Sequence, residues 1–195
     1  MTGLTGLAGP LAGDKPNVLF LMADDLRPEL GCYGAGHVIS PNIDRLAKRG
    51  RMFEHAYCQQ ALCNPSRASM LTGLRPDSLG IWNLPTHLRQ RRPGIVTLPQ
   101  HFRNNGYFTE CVGKIFHNWR PDIHGDPQSW SVPQFMHYAR HDDDKPRVEG
   151  KPPGNEIKLP RSTIRDVPDE AYFDGRIATR AIESLRGLKK RKPFF

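Results

Sequence analysis

The sequence lacks any apolar run long enough to cross a bilayer, which excludes a membrane-spanning helix. It has little cysteine: 4 residues in 195, at Cys32, Cys58, Cys63 and Cys111, with no CxxC pair and no framework spacing. A small disulfide-stapled scaffold is thereby excluded, while the redox compartment stays open. There is no internal repeat, and neither an RNP-type nor a zinc-finger pattern, so nucleic acid is not expected as a partner. Acidic residues are the scarcer charge, 20 against 28 Lys and Arg, for a net charge of +8. That balance suits anionic partners. The positive residues do not form one block, however. The densest runs, at 88–94 and 186–193, read as a solvated face and as a helix C-terminus that favours cations.

What is present is an alternation of strand-like and helix-like segments. "PNVLFLMADD" (16–25) is a continuous apolar run ending in two aspartates, the pattern of a strand buried on both faces. "SPNIDRLAKRG" (40–50) carries Ser-Pro at a helix start, Ile43, Leu46 and Ala47 at helical spacing, and Gly50 at the stop. Residues 51–58 alternate and predict a second strand. Residues 64–73 predict a helix with Pro65 in its first turn, and 97–106 a short helix closed by Asn-Gly. Residues 107–114 predict a third strand. From 118 to 168 the chain is rich in Pro, Asp, His and Gly with little periodicity, which reads as a long surface excursion. Residues 168–188 return to a helix with Ile177, Ala181, Leu185 and Leu188 on one stripe, and "KPFF" opens another strand. This order argues for an α/β fold with a mainly parallel sheet flanked by helices. Residues 1–15 read as a flexible lead-in or the remnant of a secretory signal without its basic start. Residues 16–195 read as the N-terminal piece of a longer protein.

In open α/β sheets ligands bind outside the carboxyl ends of the strands. Three groups of reactive residues lie there. Adjacent carboxylates at a strand end, Asp24 and Asp25, repel unless a cation lies between them, and a hard divalent ion with oxygen ligands is the natural solution. The plainer alternative is a turn cap beside a solvated aspartate. Cys63 opens a helix with Arg67 one turn on, a setting that favours negative charge at position 63. An inert cysteine near a turn is the alternative. Lys114 and His117 follow the third strand, and alone they would read as surface residues. "RHDDDKP" (140–146) reads as a solvated loop, and Trp82, Trp119 and Trp130 as core before sugar cleft.

Extended from Cys63 to Gly73, "CNPSRASMLTG" resembles the signature of the sulfatase family, in which the cysteine is converted to Cα-formylglycine. "PNVLFLMADDLRPELGCYG" resembles the family's opening strand with its metal-binding Asp-Asp, and "GYFTECVGKIFH" its Gly-Lys block followed shortly by His. "SPNIDRLAKRG", "VGKIFH" and "FDGRIATRAIESL" are most similar to the iduronate-2-sulfatase-like subgroup. The resemblance, which runs from Lys15 onward, implies an alkaline-phosphatase-like fold and sulfuric ester hydrolysis on a sulfated sugar of the glycosaminoglycan type. It implies one Ca²⁺ held by Asp24, Asp25 and the modified Cys63. It implies that Arg67, Lys114 and His117 surround the hydrated aldehyde, with Lys114 and His117 also binding sulfate. It implies the formylglycine-generating enzyme as a partner, and a periplasmic, secreted or lysosomal location. The family's remaining ligands come from its C-terminal half, so the 195-residue chain alone is expected to be inactive and poorly stable. Two other readings stand beside this one. The first is a phosphonate or phosphodiester hydrolase of the same fold, and the second is an inactive homologue that binds sulfated glycans.

Overall fold

The computed structural model describes residues 15–117, 125–135, 166–189 and 193–195. Helix α2 (Cys63–Thr72) is its centre, with Asn64, Pro65, Arg67, Ala68, Ser69 and Leu71 all buried. It ends where Gly73 adopts a left-handed φ of 70°, the helix stop that glycine permits most cheaply. Two short helices follow, α3 (Pro76–Leu79) and α4 (Leu88–Arg91). Ala68 and Leu71 of α2 pack with Leu79, Ile81, Leu88, Cys111, Phe116 and Trp130 as one apolar core, joined by the half-buried Phe20, Met22, Ile95, Ile115 and Phe195.

The helices predicted from periodicity are present. Helix α1 is Pro41–Arg49 and α5 is Leu98–Asn104. Thr97 and Gln100 cap α5 reciprocally, each side chain bonded to the other's backbone N–H. Helix α6 is Phe173–Leu188, shorter at its start than predicted because Asp169–Ala171 forms a separate 3-10 turn. Its stripe of Ile177, Ala181, Leu185 and Leu188 is the covered side, whereas Ile182 stands 49% exposed.

The strand expectations fare differently. Among the described residues there are two isolated parallel bridges, Phe108 with Phe194 and Val112 with Phe135, and no longer strand. Backbone bonds extend these contacts: Phe108 N–H donates to Pro193 (2.9 Å), Glu110 N–H to Phe195 (3.1 Å), Gly113 N–H to Phe135 (2.9 Å) and Val18 N–H to Phe194 (2.8 Å). Segments 16–22, 193–195, 107–113 and 131–135 thus lie side by side, but the mainly parallel sheet is not established by them. The run at 16–25 is covered on one face, not two. Phe20 and Met22 meet the core, while Leu19 (56%) and Leu21 (72%) are exposed because no described residue covers that side. Residues 51–58 form no strand. Phe53 and Tyr57 are exposed there, and alternation without a ladder partner does not hold a strand.

The basic run at 88–94 is also more than a solvated face. Arg89 is nearly buried and grips the fully buried Asp126 with two bonds, Nε to Oδ1 at 2.8 Å and Nη2 to Oδ2 at 2.7 Å. Asp126 also accepts from Ser129 Oγ at 2.5 Å. The pair fastens residues 125–131 to α4 and so holds Trp130 in the core. Arg91 and Arg92 of the same run are exposed, as expected. The acidic stretch 140–146, Trp119 and most of the 118–168 excursion lie outside the described residues.

Candidate active site

Arg67 organises the site. It projects from the second turn of α2 and is 4% exposed, so all its donors must find partners inside the protein. Nη1 donates to the carbonyls of Lys114 (2.6 Å) and Ile115 (2.9 Å) and touches Met22 Sδ at 2.7 Å. Nη2 donates to Asp24 Oδ1 at 2.7 Å. One guanidinium therefore ties α2 to the first segment and to the turn after 107–113. The other oxygen of Asp24 accepts from Lys114 Nζ at 2.5 Å.

Asp25 has φ 51°, the one non-glycine residue with positive φ among those described. That conformation is costly for a side chain with a Cβ and breaks the alternation of a strand. With the break at this position, carboxylate oxygens of both Asp24 and Asp25 lie within 4.8 Å of each other and of Cys63 Sγ. Lys114 is reached through Gly113, whose φ is +84°. A Cβ there would stand 3.0 Å from Ile177 Cδ1, so glycine permits both the turn and the close approach of α6.

The electrostatics follow from this packing. Burial works to raise the pKa of Asp24, but hydrogen bonds from Lys114 and Arg67, and then their charges, outweigh it and leave it lowered. His117 is lowered as well. Burial comes first, then the charges of Lys114 and Arg67, with Asp24 opposing. Its Nδ1 is buried and has no hydrogen-bond partner among the described residues. Burial and the two neighbouring cations thus disfavour the protonated form of His117. Cys111 lies in the core behind this turn, and burial first of all pushes its thiol up to about 12. It is inert packing, not a second nucleophile.

Asp24 carries a pH prediction. Its folded pKa lies below the unfolded value, so its stabilisation is present above the unfolded pKa of about 3.9 and is lost as pH falls through the folded one. Urea midpoints should fall more steeply with acid in the parent chain than in Asp24→Asn, so the parent's advantage should shrink from about pH 4, the ordinary carboxylate range, downwards. Because the Asp24 side chain is 40% exposed, the difference should be modest.

Asp24, Asp25 and Cys63 converge, Arg67 and Lys114 are each bonded to Asp24, and His117 lies within the field of Lys114, Arg67 and Asp24. Of the tryptophans, Trp130 is core and Trp82 is 53% exposed, with its indole N–H donated to Asp77. One residue beside the site was not singled out by its sequence: Asn64, buried next to Cys63.

A family model described as Sulfatase matches residues 16–195, which is nearly the whole chain. The chain belongs to the sulfatase family. Among curated proteins, this sulfatase chain is 39% identical over 188 residues to iduronate 2-sulfatase of Homo sapiens, covering 93% of this chain and 34% of that one. It is 35% identical over 133 residues to N-acetylgalactosamine-6-sulfatase of Sus scrofa, covering 63% and 24%. The chain spans about a third of the length of the human relative. Among solved structures it shares its fold with a phosphonate monoester hydrolase of Agrobacterium radiobacter, at TM-score 0.69 and 22% identity, covering 93% of this chain and 40% of that one. No helix among the described residues is long and apolar enough to cross a membrane.

Proposed function

We propose that this chain is the N-terminal portion of a catalytic domain that hydrolyses sulfate esters of a sulfated sugar, of the iduronate-2-sulfate, glycosaminoglycan type. The observation that carries the reading is the convergence of Asp24, Asp25 and Cys63 within 4.8 Å, with Arg67 and Lys114 bonded to Asp24. The similarity to iduronate 2-sulfatase over most of the chain supports the substrate class. The parallel bridges of 107–113 to 193–195 on one side and to residue 135 on the other are consistent with part of a mainly parallel, alkaline-phosphatase-like sheet. By the same resemblance the protein works in the periplasm, outside the cell or in a lysosome.

The donor set fits a hard divalent ion at two of its three positions. Carboxylates suit Ca²⁺, and a thiol does not. If the formylglycine-generating enzyme converts Cys63 to Cα-formylglycine, its hydrate offers an oxygen there and the mismatch disappears. The ion would supply charge against the sulfate oxygens and the diol.

The chain's own residues do the rest. With residue 63 as a hydrated aldehyde, one of its hydroxyls would attack the sulfate sulfur and lose its proton while the bond from sulfur to the sugar oxygen breaks, and the sugar oxygen would take up a proton and leave as an alcohol. The second hydroxyl then gives up its proton, the carbonyl re-forms, sulfate is expelled, and water restores the diol. This is covalent catalysis by a nucleophile that can release its own adduct. Arg67, fixed and buried, offsets negative charge on the diol. Lys114, now on Asp24, has the reach and charge to bridge the diol and a sulfate oxygen. His117, whose protonated form is disfavoured by burial and the neighbouring cations, is placed to take the proton in the collapse step through Nδ1.

A second reading, a phosphonate or phosphodiester hydrolase, is favoured by the shared fold with the Agrobacterium radiobacter enzyme. Turnover of an aryl sulfate and an aryl phosphodiester by the whole protein carrying these residues separates the two. The sulfatase reading expects a higher kcat/KM for the sulfate, lost on chelation and restored by Ca²⁺. A higher value for the diester would favour the second reading.

A further inference from the structure

Helix α2 begins at Cys63 with no side-chain cap: Leu62 stands at the N-cap and has no such bond. No N-cap side chain therefore helps Pro65 to fix where the helix, and with it residue 63, begins. Asn64 supplies a non-local anchor. Its side chain is buried, and the two hydrogens of Nδ2 are shared among three carbonyls of one turn: Asn83 (2.8 Å), Leu84 (3.2 Å) and Thr86 (2.8 Å). The turn is shaped to receive it, because Asn83 Oδ1 accepts from Thr86 N–H at 3.1 Å and folds the carbonyls towards one point. On the other side of residue 63, Gln60 Nε2 donates to Trp82 O at 3.0 Å. The side chains flanking the nucleophile position are thus both fastened to residues 82–86. Asparagine is a poor choice inside a helix on propensity alone, and a buried primary amide is costly unless satisfied. Its bonds account for its presence.

We infer that Asn64 is a positioning residue. It pins the first turn of α2 to the 83–86 turn and thereby sets residue 63 at its distance from Asp24 and Asp25. This rests on the proposal that those three residues act as one site. Asn64 touches neither substrate nor ion in this scheme and acts through the backbone of Cys63.

Cd²⁺ is the probe, since it accepts both thiolate and carboxylate and its thiolate bond gives an ultraviolet charge-transfer band. The whole protein is made without the modifying enzyme, so residue 63 stays Cys, and the band lost in Cys63→Ser is the signal. Asn64→Ala should weaken Cd²⁺ binding in that band by about 10–100-fold, the range seen when a group orienting a metal ligand is removed. Asn83→Ala, which loosens the turn without touching Asn64, should shift it in the same direction by less. Circular dichroism of each variant reads the fold separately. If both variants keep the parent spectrum and bind Cd²⁺ as tightly as the parent, Asn64 is a packing residue and the inference is overturned. If Asn64→Ala unfolds, Asn83→Ala decides alone: folded with weakened binding supports the inference, and folded with parent affinity overturns it. A parent protein with no Cys63-dependent band would sink the three-residue site itself and this inference with it. Parent binding with unaffected variants would sink the inference only.

Discussion

Replacing Cys63 with alanine is expected to reduce sulfate-ester turnover by the whole protein on the order of 10⁴-fold or more, the scale on which enzymes lose their nucleophile. The effect should fall on kcat, because the groups proposed to bind sulfate, Lys114 and His117, remain. Serine at 63 gives a more telling result. Its single hydroxyl can attack sulfur but leaves no second hydroxyl to expel sulfate, so the ester persists. One equivalent of sugar alcohol should be released and the protein should gain about 80 Da, the mass of SO₃. Continued turnover by Cys63→Ser would mean that the second hydroxyl of a hydrate is not needed.

Removing Arg67 is expected to have the largest effect on stability. Its guanidinium serves the carbonyls of Lys114 and Ile115 and one oxygen of Asp24 from a site 4% exposed to solvent. Arg67→Met fills the volume but strands two part-buried carbonyls. Asp24 keeps Lys114 and some water, so most of the loss comes from those carbonyls, at roughly 2–4 kcal/mol in all. That is a large share of the stability of an ordinary domain. Urea denaturation should show a lowered midpoint with an unchanged slope. Arg67→Lys should recover less than half of the loss, because an ammonium cannot reproduce the fork that spans two segments. Equal stability of Arg67→Lys and the parent chain would show that charge alone matters there.

The site was legible where chemistry and local order coincide. Asp24 and Asp25 end an apolar run, Cys63 opens a helix, and Lys114 follows a glycine that only a tight turn requires. Each of these signals is written within a few residues. What the sequence hid depends on partners far along the chain. Arg89 reads as one more cation in a basic run, because Asp126 lies 37 residues on. Asn64 reads as a filler between Cys63 and Pro65, because its three acceptors sit 19 to 22 residues away in a turn without periodicity. The helices α1, α2, α5 and α6 were legible for the opposite reason: their hydrogen bonds are local, and caps such as Thr97 with Gln100 are three residues apart, whereas the one-turn helices α3 and α4 are too short to show a period. Strand pairing is non-local, and period alone could not tell that 51–58 has no ladder partner or that Leu19 and Leu21 face outward.

The most direct test is the mass of the peptide that contains residue 63, taken from the protein produced in a host that has the formylglycine-generating enzyme. Conversion of the thiol-bearing carbon to an aldehyde should lower that mass by about 18 Da, and an aldehyde-specific hydrazide should label it. An unshifted, unlabelled peptide from such a host would contradict a carbonyl-derived nucleophile at position 63 and would favour a homologue that only binds sulfated glycans.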